Sequence, residues 1–492
     1  MGNRFNVKLS TFFIILILSS SVMVLSRPHN TLDQQPTPLL IEQSGLVTRE
    51  KIYINSNDDF QEFPGSGTKE DPYIIAGFEI SSPVSDDYDL IKIEGTDVYF
   101  IIENNILTGN DQNSGSGIII VSALNGLVRY NEVRDNSNWG ILIAGSEDII
   151  VEHNLVFSNM HQGLELLSSN NNIIRHNTIS NNQIHGIASY FSEKNDIINN
   201  TVSFNSQGGI HVEEGISHII NRNLVDSNNG VGIWLGGAIS NIIELNEISS
   251  NSAGIMFRDQ TQLGNNPSDD NYILNNLIFD NTRGITSSNG SNNTFSGNLI
   301  HGNDGHGFDF NGGENNIITN NIISNNEYGY RSTGSVIQNV INCNIFDFNR
   351  GYGVFIDKNP EYEIIVRNDF LNNQNKPQAN DNGFSNKFEY NYWDEIGNQD
   401  QNNDGINDIQ YLISGDANNA DSLSIPIRNM GQSNVNLDCN FGLNLATGYL
   451  NSQNAIKPEL KFPVSNSLFI IFPVLIIFGI SIAILFRRKS DF

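Results

Sequence analysis

The chain is short of cysteine, of positive charge and of charged residues altogether, and each shortage closes off a class of protein. Two cysteines, Cys343 and Cys439, in 492 residues cannot build a disulfide framework or a structural zinc site. They fit one disulfide as well as two unrelated thiols. Lys and Arg number 26 against 54 Asp and Glu, for a formal net charge of −28. A nucleic-acid backbone is held by clustered cations, so an acidic chain with no basic stripe is not expected to bind DNA or RNA. Charged residues make up only 16% of the chain, while Asn reaches 77 and Gly 43. Both residues disfavour helix interiors, which excludes coiled coils and helical bundles. Disorder is excluded in turn, because Ile, Leu, Val and Phe recur throughout.

Long apolar runs occur only at the two ends. Arg4 and Lys8 precede an uncharged stretch from Leu9 to Leu25, followed by Ser26 and Arg27. This is the layout of a secretory signal peptide over residues 1–26, or of an uncleaved signal anchor. Leu468 to Phe486 is also uncharged and is followed by Arg487-Arg488-Lys489. At 1.5 Å per residue, residues 468–486 as a helix reach about 29 Å, enough to cross a bilayer core. The basic tail, 487–492, stays on the cytoplasmic side by the positive-inside rule. The expectation is a single-pass protein of the cell membrane with a large extracellular part.

Between the ends one pattern repeats. An Asn precedes a short apolar pair at Asn131, Asn154, Asn177, Asn200, Asn223 and Asn246, every step being 23 residues. The series continues through Asn276, Asn298, Asn321, Asn344, Asn368 and Asn391, with one long step that holds an insertion from Asp259 to Asp270. A Gly series runs about nine residues behind, from Gly140 to Gly353, and a third apolar segment follows each Gly. Three short strands and three turns per repeat make one coil of an all-β parallel solenoid, in which stacked coils share a core. About twelve coils are expected. Asn suits the turn because it tolerates left-handed backbone angles and because its amides can bond from coil to coil as a ladder. Gly at the next turn is expected to supply positive φ. Residues 45–95 then read as an N-terminal cap with the first strands, 96–393 as the solenoid, 394–430 as an Asp-rich C-terminal segment and 431–467 as a stalk.

The repeats resemble those of right-handed parallel β-helix proteins that bind or hydrolyse carbohydrate. The segment after the last coil sharpens the likeness. Gln378-Ala-Asn-Asp-Asn-Gly, Asn391-Tyr-Trp-Asp and Asp400-Gln-Asn-Asn-Asp-Gly-Ile-Asn-Asp408 with Tyr411 are similar to the C-terminal signature of NosD-like β-helix proteins. Gln410 stands where that pattern has Pro. The entry segment Phe63-Pro-Gly-Ser-Gly-Thr-Lys-Glu-Asp-Pro-Tyr73 resembles archaeal surface proteins. The resemblance covers roughly residues 50–428. It implies an accessory role in maturing an exported copper enzyme, but no Met/His/Cys cluster of the kind copper favours is visible in the sequence.

Side chains alternate along a strand, so the residue two after each repeat Gly points outward. That column and the next outward one gather Glu165, Tyr190, His211, Glu213, Trp234 and Arg258 on one face, where exposed aromatics and hydrogen-bonding groups suit sugar rings. A mixed solenoid surface, or a patch beneath the insertion, is the plainer reading of the same residues. Asp400, Asn402, Asp404 and Asp408 fit the opening of a calcium loop, or equally a hydrogen-bonded Asx turn. Tyr411 at the twelfth position excludes an EF-hand. Asn199, Asn289 and Asn292 head glycosylation sequons. Gly305-His306-Gly307 matches a motif of galacturonase-type enzymes by coincidence with the repeat Gly. The leading expectation is a membrane-anchored β-helix that binds a polysaccharide or surface glycan, or acts as an adhesion rod, with no required cofactor beyond possible Ca2+. A polysaccharide hydrolase, lyase or epimerase and a metalloenzyme accessory are the rivals.

Overall fold

A computed structural model of the chain describes residues 45–81, 89–109, 115–261 and 264–428. The signal, stalk, membrane-helix and tail assignments at 1–26, 431–467, 468–486 and 487–492 lie outside the described residues, as does Cys439. Among the described residues no helix is long and apolar enough to cross a membrane.

The repeat folds as its period requires. In one coil Glu132–Arg134, Ile141–Ala144 and Ile150–Glu152 are strands, and they pair in parallel with Leu155–Phe157, Leu164–Leu167 and Ile173–Arg175, each 23 residues on. Stacking yields three parallel sheets of 15, 14 and 14 strands, here called sheets 1, 2 and 3 in the order the chain visits them. The solenoid makes about 13 turns, slightly more than the Asn spacing suggests, because the cap region supplies strands of its own. One apolar residue of each three-residue strand faces inward, as Val133 and Val151 do in this coil, and two of the four-residue strand, Ile141 and Ile143, and all four are fully buried. No strand could bury these residues alone, so the core exists only once neighbours stack.

Each end of the core is closed by aromatic rings. Phe60, on a short 3-10 helix at Asn57–Glu62, stacks between Tyr73 and Phe100 at 5.1 and 5.7 Å. At the far end Phe370, Trp393 and Tyr411 stack at 4.0 Å intervals. Such caps keep the terminal strands from offering unpaired edges.

All twelve predicted ladder asparagines are buried and joined. The Oδ1 of Asn200 accepts both the backbone N–H and the Nδ2–H of Asn177, and its own Nδ2 donates to Asn223 Oδ1 and to the Ile174 carbonyl. The same pattern starts at Asn105 and ends where Asn391 donates to the carboxylate of Asp421. Two further ladders run beside it. One passes from Asn136 through Asn159 and Asn182 to Asn373 and Gln378, and the other includes Asn172, Asn241 and Asn316.

Two expectations are corrected. Left-handed angles fall on the residue before each ladder Asn, namely Tyr130, His153, His176, Asn199, Arg222 and Leu245, with φ of 54–56°. The ladder Asn is therefore needed for its amide and not for its backbone. The repeat glycines from Gly140 onward do not carry the positive φ either. They are needed for space: a Cβ at Gly163 would stand 2.4 Å from Ile179 Cγ2 and 2.8 Å from the carbonyl oxygen of Gly186.

Where the third ladder loses its Asn, a titratable group enters the core. His218 takes one rung, accepting the Asn195 N–H on Nδ1. Glu363 takes another, fully buried, donating its N–H to Asn386 and accepting from the Tyr330 hydroxyl. Burial pushes the Glu363 carboxyl up from 4.5 to about 8. The folded chain thus keeps a proton that the unfolded chain releases, so this group's contribution is full below about pH 4.5 and is lost as pH rises towards 8. Glu363→Gln should match the parent melting temperature near pH 4 and exceed it near pH 9, measured by thermal melts across pH. Asn200→Ala orphans buried groups on both flanking coils and should cost on the order of 3 kcal/mol, read from the urea midpoint.

Candidate functional site

Sheet 2 carries the predicted face, and strand length sets it apart. Most strands have three or four residues, but His185–Tyr190, Gly208–Glu213, Val231–Gly236 and Ala253–Arg258 have six. The two extra residues lie at the start of each strand, on the repeat Gly and the residue before it, and bring that pre-glycine position into the sheet. Register then aligns Glu165 with Ala188, His211, Trp234 and Met256 in one column, and Tyr190 with Glu213, Gly236 and Arg258 in the next. Ile233 and Leu235 on either side of Trp234 point into the core and are fully buried.

Five of the six predicted residues share one network and Glu165 borders it. The His211 imidazole stacks on the Trp234 indole at 4.6 Å and 19°, and the Arg258 guanidinium lies 5.5 Å from the Trp234 ring centre. Tyr190 Oη is 3.3 Å from His211 Nδ1, and His211 Nε2 is 3.5 Å from Glu213 Oε2. These distances suit a neutral His211 that carries its proton on Nε2 towards Glu213 and accepts on Nδ1.

Three residues that column reasoning left out complete the site. Trp139, Gln162 and His185 each immediately precede a repeat Gly. Trp139 Nε1 donates to Glu165 Oε2 at 2.7 Å, and Gln162 Nε2 donates to Tyr190 Oη at 3.3 Å. His185 Nε2 lies 3.1 Å from His211 Nδ1. His185 has this room because its partner in register is Gly208, where a Cβ would stand 3.1 Å from the imidazole Nδ1. The signal in the sequence was the pre-glycine slot itself, which holds polar or aromatic side chains in three consecutive coils.

The face was expected to be exposed, and this is corrected. Glu165, His211 and Glu213 are only 5%, 6% and 7% exposed, Trp234 and Tyr190 are half-buried, and Arg258 alone is open. Strands about 4.8 Å apart are close enough for long side chains of successive coils to lean across one another. Burial raises the Glu165 carboxyl, an effect that the Trp139 N–H partly offsets. It drives His185 down to about 4, His211 well below its usual value, and Tyr190 up to about 12. Both imidazoles are therefore neutral. Buried polar atoms normally find partners, yet Trp234 Nε1, His185 Nδ1 and Gln162 Oε1 make no hydrogen bond among the described residues.

The Asp-rich loop is a chain of Asx turns. Asp400 accepts the N–H groups of Asp404 and Gly405, Asp404 that of Ile406, and Asp408 that of Gln401 together with the Asn402 amide. Asp421 and Asp394, which could have completed a cation shell, are used elsewhere. The first caps the main ladder, and the second accepts from Gln378 and Asn372. Among the described residues no three His, Cys, Asp or Glu side chains are grouped to hold a metal ion. Of the sequons, Asn289 and Asn292 are exposed, and Asn199 is half-buried at a left-handed turn. The Asn289 amide also donates to Asp259. The insertion from Asp259 contains an antiparallel strand pair and is pinned by Asn266 Nδ2 donating to Glu214 at 2.7 Å.

The imidazole shift sets a pH dependence. His185 refuses in the folded state a proton that the unfolded chain accepts near 6.5, so its contribution is present above that pH and is lost as pH falls towards 4. His185→Gln should therefore keep more of its neutral-pH melting temperature at about pH 4.5 than the parent does, by calorimetry at both pH values.

Several solved structures are similar to the chain. The mannuronan C-5 epimerase AlgE4 A-module of Azotobacter vinelandii is 13% identical with a TM-score of 0.41, over 70% of this chain and 90% of that one. The periplasmic alginate epimerase AlgG is 13% identical with a TM-score of 0.40, over 69% and 84%. The Dettilon tailspike protein is 16% identical with a TM-score of 0.39, over 70% and 63%. None of the curated proteins matches the chain. The family model described as periplasmic copper-binding protein (NosD) matches residues 79–267 and 254–413. With most of the solenoid and the Asp-rich loop inside those matches, the chain belongs to the NosD family of right-handed parallel β-helix repeat proteins.

Proposed function

We propose that the outer face of sheet 2 binds carbohydrate, and that the protein displays this solenoid outside the cell on its C-terminal apolar segment. The observation that carries the reading is the stacked His211–Trp234–Arg258 group, set among buried hydrogen-bonding atoms without protein partners. Sugars present C–H faces that stack on indole and hydroxyls that fill such positions. Trp234, Tyr190 and Arg258 form the accessible rim, while Glu165, His211 and Glu213 form a rigid floor beneath. Rigidity lowers the ordering cost of binding.

A second reading, turnover of the bound polysaccharide, is favoured by one observation: the Glu165 carboxyl is biased towards its protonated form, as a general acid needs. Glycoside hydrolysis wants two carboxyls about 5–9.5 Å apart. Glu165 and Glu213 sit two strands apart, about 10 Å along the axis. That spacing weighs against hydrolysis and in favour of binding.

The family description names copper. Copper would need His, Met and Cys donors converging on one point. Among the described residues no such group of three His, Cys, Asp or Glu forms, His185 and His211 lie within hydrogen-bond reach of each other, and Cys343 is fully buried. These residues do not fit a copper centre, and none is assigned.

Trp234→Ala should weaken glycan retention at least tenfold, about 1.4 kcal/mol, while shifting the melting temperature by no more than a few degrees. A glycan array alongside a thermal melt checks both. Unfolding many degrees earlier would make the indole structural, and an unsaturated or reducing-sugar product would select the enzyme.

A further inference from the structure

Sheet 2 keeps the same outer face beyond the insertion, and there it turns aromatic. His306, Tyr328 and Tyr352 precede Gly307, Gly329 and Gly353, the slot that Trp139, Gln162 and His185 occupy earlier in the chain. His306 stacks on Tyr328 at 4.9 Å and 9°, and Tyr328 stacks on Phe355 at 5.2 Å and 20°. Tyr352 leans on both at 5.8 and 5.9 Å. All four rings are half-buried. The core beneath is already filled by Phe308, Phe310 and Tyr330, so these rings are not needed to close it. An Arg331–Asp309 ion pair at 3.2 Å borders them and offers both donors and acceptors.

This group is in register with the first site. The outward column runs from Trp234 through Met256, Thr286, Asp309 and Arg331 to Phe355, five strand steps or about 24 Å. Midway, Thr286 is only 8% exposed and its hydroxyl makes no hydrogen bond among the described residues. A buried hydroxyl without a partner, between two aromatic groups on one straight column, is what a ligand spanning both would satisfy.

We propose that the two groups are ends of one track, and that its ligand is a linear, uncharged polysaccharide lying along the solenoid axis from Trp234 to Phe355. The proposal rests on the carbohydrate reading above and specifies its ligand. A linear glycan advances by about one strand spacing per sugar, so aromatic groups some 24 Å apart contact the two ends of about a hexasaccharide. The ligand is uncharged because the chain carries −28 and the Arg331 charge within the track is taken up by Asp309 at 3.2 Å, while Glu213 stands one coil before Trp234 and Glu165 three coils before it. A polyanion would be repelled.

The test is calorimetric titration of the full-length protein with neutral β-1,4-linked gluco-, manno- and N-acetylglucosamine oligosaccharides, from disaccharide to decasaccharide. Oligouronates of matched length serve as the charged comparison. Affinity for one neutral series should climb steeply to about the hexasaccharide and then level off, as linked contacts do. Tyr328→Ala and Phe355→Ala, each with its melting temperature recorded, should weaken the hexasaccharide at least tenfold and leave the disaccharide unchanged. Affinity that is flat beyond the trisaccharide, or hexasaccharide binding untouched by both substitutions in folded variants, overturns the track but leaves the Trp234 site standing. Tighter binding of oligouronates overturns the uncharged ligand. If no oligosaccharide binds the parent protein, the carbohydrate reading falls and the track with it.

Discussion

The amide of the ladder asparagine governs the rest of the structure. A coil that turns three times in 23 residues carries backbone N–H groups past the edge of each sheet, where no strand partner accepts them. One Oδ1 accepts the N–H and the Nδ2–H of the coil before it, and the same residue's Nδ2 reaches a carbonyl and the next Oδ1. An unpaired buried group costs on the order of 1–3 kcal/mol, so a slipped coil would lose several such bonds at once. The ladder thereby locks register as well as stability, and it accounts for the demand for Asn that dominates the composition.

Locked register is what makes a functional face achievable. Side chains 23 residues apart in sequence come to lie in straight columns, so a site can be assembled from single residues on four or five coils. The six-residue strands of sheet 2 widen the face by one column, and Gly208 leaves room for the His185 imidazole. The inner faces of the same strands are apolar except at Ser189, whose hydroxyl meets His218 Nε2 at 3.3 Å. Function has been placed on the outside of a core that tolerates little change.

Rungs that depart from Asn show the limits of the design. His218 accepts a neighbouring N–H on its imidazole and Glu363 accepts the Tyr330 hydroxyl, but each brings a titratable group to full burial, with the imidazole pushed down to about 4 and the carboxyl up to about 8. Both are therefore held neutral. The ladder end is handled differently, with Asp421 accepting from Asn391 and from the Trp393 indole. That arrangement joins the amide ladder to the aromatic cap in one group.

The sequence by itself determined the period, the three-sheet solenoid, the inward residues and the column membership of Glu165, Tyr190, His211, Glu213, Trp234 and Arg258. All of these follow from a repeat whose length is constant and from the alternation of side chains along a strand. Only the tertiary structure decided which residue bears the left-handed turn, because any residue type serves there and the requirement leaves no mark in composition. It also decided that Gly163 and its equivalents are needed for the Cβ they lack, a matter of what the neighbouring coil places 2.4 Å away. Finally, it drew Trp139, Gln162 and His185 into the site and buried its carboxylates and imidazoles. Burial on an outer face depends on how far side chains from several coils lean across one another, and that sum over neighbours is contained in no single repeat.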